Sequence, residues 1–135
     1  MALKFSDDVR SAMLDALETN IGASAILKFW TGAAPANCAA ADSGTCVATL
    51  NLPADWMGAA AAGVKALSGS WSDAAADADG TIGHFRVYDS GLAACDIQGT
   101  VTVTGGGGDL TVDNTNVLTG QTVTVTGFTL TAGNA

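Results

Sequence analysis

The chain has 135 residues, enough for one domain with its own hydrophobic core and no need of covalent staples. Thirteen acidic residues against five basic ones give a formal charge of -8, which argues against nucleic acid and anionic membranes as partners, since both recruit Lys and Arg. Apolar residues make up 48%, much of it alanine, and with four Phe, three Trp and one Tyr the core is expected to be thin and built mainly of Val, Leu and Ile.

The first twenty residues lack a basic segment followed by an unbroken apolar run, and no window reaches the roughly 18 apolar residues of a membrane helix. Synthesis and folding in a cytoplasm are the expectation. Ser6 is a good N-cap, Asp7 and Asp8 complement the positive end of a helix dipole, and Gly22 closes the segment. These signals predict one amphipathic helix over 6–21, with Val9, Met13, Ala16, Leu17 and Ile21 as its apolar stripe. A short bulky strand follows over 25–30, then an alanine-rich loop over 32–44. Alternation over 46–52 predicts a strand stopped by Pro53. Residues 54–62 read as loop or a short helical turn, 64–70 as a strand, and 71–80 as a polar surface loop.

From Thr81 the pattern alternates, with Phe85 and Val87 on one face and Ile82, His84, Arg86 and Tyr88 on the other. Asp89-Ser90-Gly91 is a turn, so 93–104 should return as the second arm of a hairpin. The run Gly105 to Gly108 reads as a flexible connection to a short strand over 110–112. The last strand, 121–131, changes phase: Val123 and Val125 are odd, Phe128 and Leu130 even. Gly127 is therefore the expected place of a β-bulge or bend. Seven or eight short strands with frequent turns predict a mainly β protein, an antiparallel β-sandwich of jelly-roll or immunoglobulin-like type with one N-terminal amphipathic helix at its edge. One domain over 1–135 is expected, with the sandwich spanning 25–131.

Chemistry is sparse. His84 is the lone histidine; a nucleophilic triad would have to be built on it, and a strand histidine facing solvent is the simpler reading. Cys38 and Cys46 lack zinc-type spacing and a second ligand pair. Asp73, Asp77, Asp79 and Gly80 invite a calcium loop, but the EF-hand template fails at its first and twelfth positions, Ala75 and Arg86. The glycine run is not followed by the lysine a phosphate loop needs. No catalytic residue, cofactor site or metal site is assigned, and no enzymatic activity is expected. Cys38 and Cys46 bracket a short loop and form a candidate disulfide if the protein meets an oxidising exterior; the alternative is three free thiols with Cys95 in the core. Trp56 and Trp71, with Met57, sit in predicted loops, where they either tuck back onto the core or anchor a subunit contact.

The order FSDDVRSAMLDALETNIGAS, LKFWTGAAPAN, FRVYDSGLAACDIQGTV and TVTVTGFTLTAGN resembles small β-rich virion accessory proteins of tailed bacteriophages, of the head decoration or cement kind. The resemblance covers most of the chain as a pattern of small and β-forming residues, without a catalytic signature. It implies a non-enzymatic structural protein that stabilises the capsid shell through protein-protein contacts. The major capsid protein or another virion protein would be its partner, with homo-oligomerisation, no nucleic acid, no membrane and a virion location. A tail-tube or head-fibre component is the alternative within virions. From another class, a carbohydrate-binding β-sandwich would use Trp56 and Trp71 as surface anchors.

Overall fold

The computed structural model describes residues 3–135. Helix α1 spans Asp7–Ile21, capped where the sequence places it: Ser6 Oγ accepts a hydrogen bond from Val9 N at 3.2 Å. At the other end Gly22, at φ 92°, donates its N–H to Glu18 O. The buried face, however, is Arg10, Leu14 and Ile21 with Leu17 packed beside them, whereas Val9 and Met13 of the expected stripe are about half exposed. The helix is rolled by roughly one residue because Arg10 and Glu18, though charged, find partners beneath it.

Nine strands follow: β1 Ile26–Thr31, β2 Cys46–Asn51, β3 Val64–Ala66, β4 Ser72–Asp73, β5 Gly80–Tyr88, β6 Cys95–Val103, β7 Leu110–Val112, β8 Asn116–Val117 and β9 Val123–Thr131. They lie on one pairing path, β2-β1-β5-β6-β7-β9-β3, with β4 added to β9 and β8 to β5. The path curls into a half-barrel. The chain is thus mainly β with one helix, as expected, but its strands form a continuous mixed sheet instead of the antiparallel sandwich that the turn spacing suggested. The exception to antiparallel pairing is β6 beside β7, which run parallel with Val101 opposite Leu110 and Val103 opposite Val112.

Parallel neighbours ordinarily need a crossover of a dozen residues or more. Here residues 104–109 suffice, because the glycine run folds back on the strand it has just left. Gly105 and Gly107 take φ of 84° and 83°, where a side chain is disfavoured. Gly106 N–H bonds Val103 O, and Gly108 N–H bonds Thr102 Oγ1 at 3.0 Å. A Cβ at Gly108 would lie 2.8 Å from Thr102 N, so the turn is closed by shape and is no loose tether. Asp109 completes it, accepting from Thr100 N and Oγ1 at 2.9 Å each.

The phase change in β9 appears as expected. Thr111 faces Gly127 but Val112 faces Val125, leaving Thr126 as the extra residue of a bulge. The shift keeps Val123, Val125 and Phe128 all buried.

At the centre of the core the packing is aromatic, contrary to the thin aliphatic core expected from composition. Trp56 and Trp71 lie with ring centroids 6.0 Å apart, Trp71 packs on Phe128 at 5.6 Å, and Phe128 meets Phe85 edge-on at 5.5 Å. Trp56, Met57 and Trp71 are 0%, 1% and 1% exposed, so these candidate surface anchors are core residues. Loops can swallow them because they carry spare carbonyls: Trp56 Nε1 donates to Gly22 O, and Trp71 Nε1 to Trp56 O and Ser68 O. The segment after Trp71 is likewise not a free surface loop, since Ser72 and Asp73 pair with Thr124 and Val123.

Candidate functional site

Strand β5 is central, between β1 and β6, and both its faces are covered. Phe85 and Val87 enter the core as expected. His84, Arg86 and Tyr88 point the other way, yet they are 0%, 1% and 6% exposed, so the expected solvent-facing histidine is a correction. What covers them is the alanine-rich loop over 32–45, laid across the sheet.

This loop is fastened along its length by side chains rising from β5 and β6. His84 Nδ1 lies 2.9 Å from Gly32 O, and Gln98, which faces Arg86 in register, donates to Pro35 O at 2.7 Å. Arg86 Nη2 donates to Cys38 O at 2.8 Å and Ala40 O at 3.0 Å, and Nη1 pairs with Asp42 Oδ1. Tyr88 OH donates to the same carboxylate oxygen at 2.5 Å. Thr31 Oγ1 takes Thr45 N–H at 2.9 Å and closes the loop's base. The planar fork of an arginine suits this work, because it serves several acceptors from one rigid group. Burial, helped by the Asp42 charge, raises the Tyr88 phenol above its ordinary value and keeps it a donor.

The loop leaves a cleft of about 280 Å³ where Cys38, Asp42, Arg86, Tyr88 and Cys95 meet. All three cysteines are free thiols. Cys46, the candidate partner of Cys38, lies on β2 opposite Trp30, with its Sγ turned to Ala48 O and Thr49 Oγ1 at 3.6 and 3.8 Å. Cys38 shares the cleft with Cys95 instead.

Two further cations work in the same manner on the helix side. Lys65 Nζ, 2% exposed, contacts Asp15 Oδ1 at 2.7 Å, Glu18 Oε2 at 2.8 Å and Gly58 O at 2.8 Å. Its ammonium holds the Asp15 carboxyl below the usual range, with help from Ala60 N–H. Arg10 bonds Ala132 O and Asp7, its guanidinium stacked where a Cβ on Gly63 would clash. Of five basic residues, three are therefore internal fasteners.

The aspartates of the calcium-like segment are spent separately. Asp73 accepts Thr49 N–H and Ala75 N–H, Asp77 accepts Thr49 Oγ1–H, and Asp79 accepts both N–H and Oγ1–H of Thr119. Among the described residues no three His, Cys, Asp or Glu side chains gather in a metal-holding group, and no helix is long and apolar enough to cross a membrane.

The sequence does not reveal Asp42 as the partner of Arg86, nor Tyr88 and Gln98 as further fasteners of the loop. The signal was there in part: polar residues at alternating positions 84, 86 and 88 need cover, and a long alanine-rich loop with one carboxylate can provide it. No family model matches the chain, and neither a curated protein nor a solved structure shows significant similarity to it.

Proposed function

We propose that this chain is a non-enzymatic structural protein of a phage particle, one that decorates the capsid shell and stabilises it through protein-protein contacts. The observation that carries the reading is the use made of the charged and polar side chains. Arg10, Lys65, His84 and Arg86 are buried, and each reaches main-chain carbonyls or acids of a distant segment. Chemistry-bearing groups are thus committed to holding connections down, as a protein selected for durability requires. With three cations internal, Lys4 and the half-buried Lys28 remain against an acidic exterior, which suits a protein partner and repels nucleic acid.

Since Trp56, Met57 and Trp71 are internal, the contacts are assigned to the apolar residues that remain outside. Val9 and Met13 on the outer face of α1 are 47% and 52% exposed, and Leu118 is 65% exposed. Binding the assembled shell and not its dissociated subunits stabilises the shell by linkage. The sugar-binding alternative depended on exposed tryptophans at 56 and 71 and loses its anchors.

Quantitative protein composition of purified particles tests the proposal. Hundreds of copies on heads, reduced at least tenfold by Met13→Glu, are the expected result. Copies confined to tails would transfer the protein to the tail-tube alternative, and absence from particles would end the virion reading.

A further inference from the structure

We propose that Cys38 and Cys95 are a redox pair that closes into a disulfide and locks the loop over 32–45 onto the β5–β6 hairpin. The inference is independent of any role in a particle. Three observations place the pair. Both thiols line the cleft formed by Asp42, Arg86 and Tyr88, although nearly sixty residues separate them in the chain. Cys38 is positioned by its own carbonyl, held 2.8 Å from Arg86 Nη2, while Cys95 is fixed by its register opposite Tyr88, two positions along the strand from Arg86. Both are half-buried, in a cleft whose lining includes the exposed Leu92 to Ala94, so neither thiol is closed off from a small disulfide.

The ionisation of Cys95 agrees with this arrangement. Burial first, and then the neighbouring Cys38 thiol, push it up to about 11, while Arg86 works in the opposite direction. Consuming Cys38 removes the neighbouring group that, beside burial, keeps Cys95 protonated. Both Cys46 and Cys95 turn Sγ to a carbonyl of their own strand, Ala48 O and Ile97 O, but only Cys95 has a second thiol beside it.

Chemically, the oxidant is a low-molecular-weight disulfide such as oxidised glutathione. The Cys38 thiolate attacks one of its sulfurs, breaking that S–S bond and releasing one glutathione thiolate. The Cys95 thiolate then attacks Cys38 Sγ in the mixed disulfide, forming the Cys38–Cys95 bond and expelling the second glutathione. The two cysteines lose two electrons, the glutathione disulfide gains them, and the two thiol protons finish on the two glutathiones. Joining positions so far apart restricts the unfolded chain strongly, so the locked form should melt higher.

The test is peptide mapping of the full chain by non-reducing mass spectrometry after equilibration with oxidised glutathione. A Cys38–Cys95 linked peptide with Cys46 alkylatable is expected, together with a rise in melting temperature of roughly 5–15 °C that dithiothreitol reverses. The rise should persist in Cys46→Ser and vanish in Cys95→Ser. Three alkylatable thiols after equilibration, or a bridge that includes Cys46, would overturn the proposal, and wild-type mapping decides this even if a variant fails to fold.

Discussion

The loop over 32–45 and the glycine run at 105–108 are both irregular connections, and they are held in opposite ways. The first is long and carries almost no structure of its own; Arg86, His84, Gln98 and Tyr88 reach up from the sheet to grip its carbonyls and Asp42. The second is short and grips itself, through left-handed glycines and bonds to the Val103–Thr102 end of the strand it leaves. Order in the first resides in a few large polar side chains, whereas in the second it resides in the lack of side chains. One should therefore fail when a group is removed, and the other when an atom is added.

The largest effect is expected at Arg86. Arg86→Ala takes the ion-pair partner from Asp42, which keeps only the Tyr88 hydroxyl, and the donor from two or three carbonyls, and should cost about 2–4 kcal/mol in urea unfolding. Arg86→Lys should restore little of this, since an ammonium lacks the fork. A loss below about 1 kcal/mol would show that the loop is held by something else. On the glycine side, Gly108→Ala puts a methyl against Thr102 and should cost about 1–3 kcal/mol. Gly91→Ala meets nothing closer than 3.5 Å and should stay within about 0.5 kcal/mol of the parent. Removing a group there matters less: Asp109→Ala gives up two bonds from Thr100 in an exposed turn, for about 0.5–1.5 kcal/mol.

The smallest effects come from pH, and they separate the regions again. Cys95 ionises at 9.0 when free and at about 11 in the fold, so the unfolded chain loses its proton first. Its contribution is complete below pH 9.0 and declines as pH rises toward 11, and Tyr88, also raised, acts in the same direction. Urea midpoints at about pH 8 and about pH 10.5 should differ, and Cys95→Ser should shrink the difference. Asp15 and Asp79 lie below their ordinary value of 3.8, the first through Lys65 and the second through Thr119. Their contribution is present above that value and is lost as pH falls through the lower folded one, so acid weakens the Lys65 contact under the helix and the Asp79 contact with Thr119.

Local signals in the sequence were reliable wherever local physics decides. Ser6 and Gly22 mark the helix, Asp89-Ser90-Gly91 marks the β5–β6 hairpin, and Gly127 marks the bulge, because a cap, a turn and a phase change each depend on a few adjacent residues. Long-range cover was not legible in the same way. His84 and Arg86 alternate as a wetted face would, and nothing near them announces that the loop containing Asp42 will lie on top. Trp56 and Trp71 stay open between core and subunit contact in the sequence because their neighbours are small and polar, and the structure decides for the core, where their indole donors find carbonyls across the fold. Gly105 to Gly108 were recognised as a connection, but the parallel return they permit depends on where β7 must bury Leu110 and Val112.

The acidic segment that imitates a calcium loop has another consequence, visible at strand β2. This strand ends the pairing path, and two of its outward main-chain groups are taken: Val47 O accepts Asp77 N–H and Ala78 N–H, and Thr49 N–H goes to Asp73. A terminal strand with open N–H and C=O groups is a template on which another chain can add, the usual route from a soluble sheet protein to a fibre. Here the middle of that template is covered by a turn carrying Asp73, Asp77 and Asp79. A strand edge covered at its middle and flanked by negative charge offers little for a further strand to pair with, so this end of the sheet resists edge-to-edge addition.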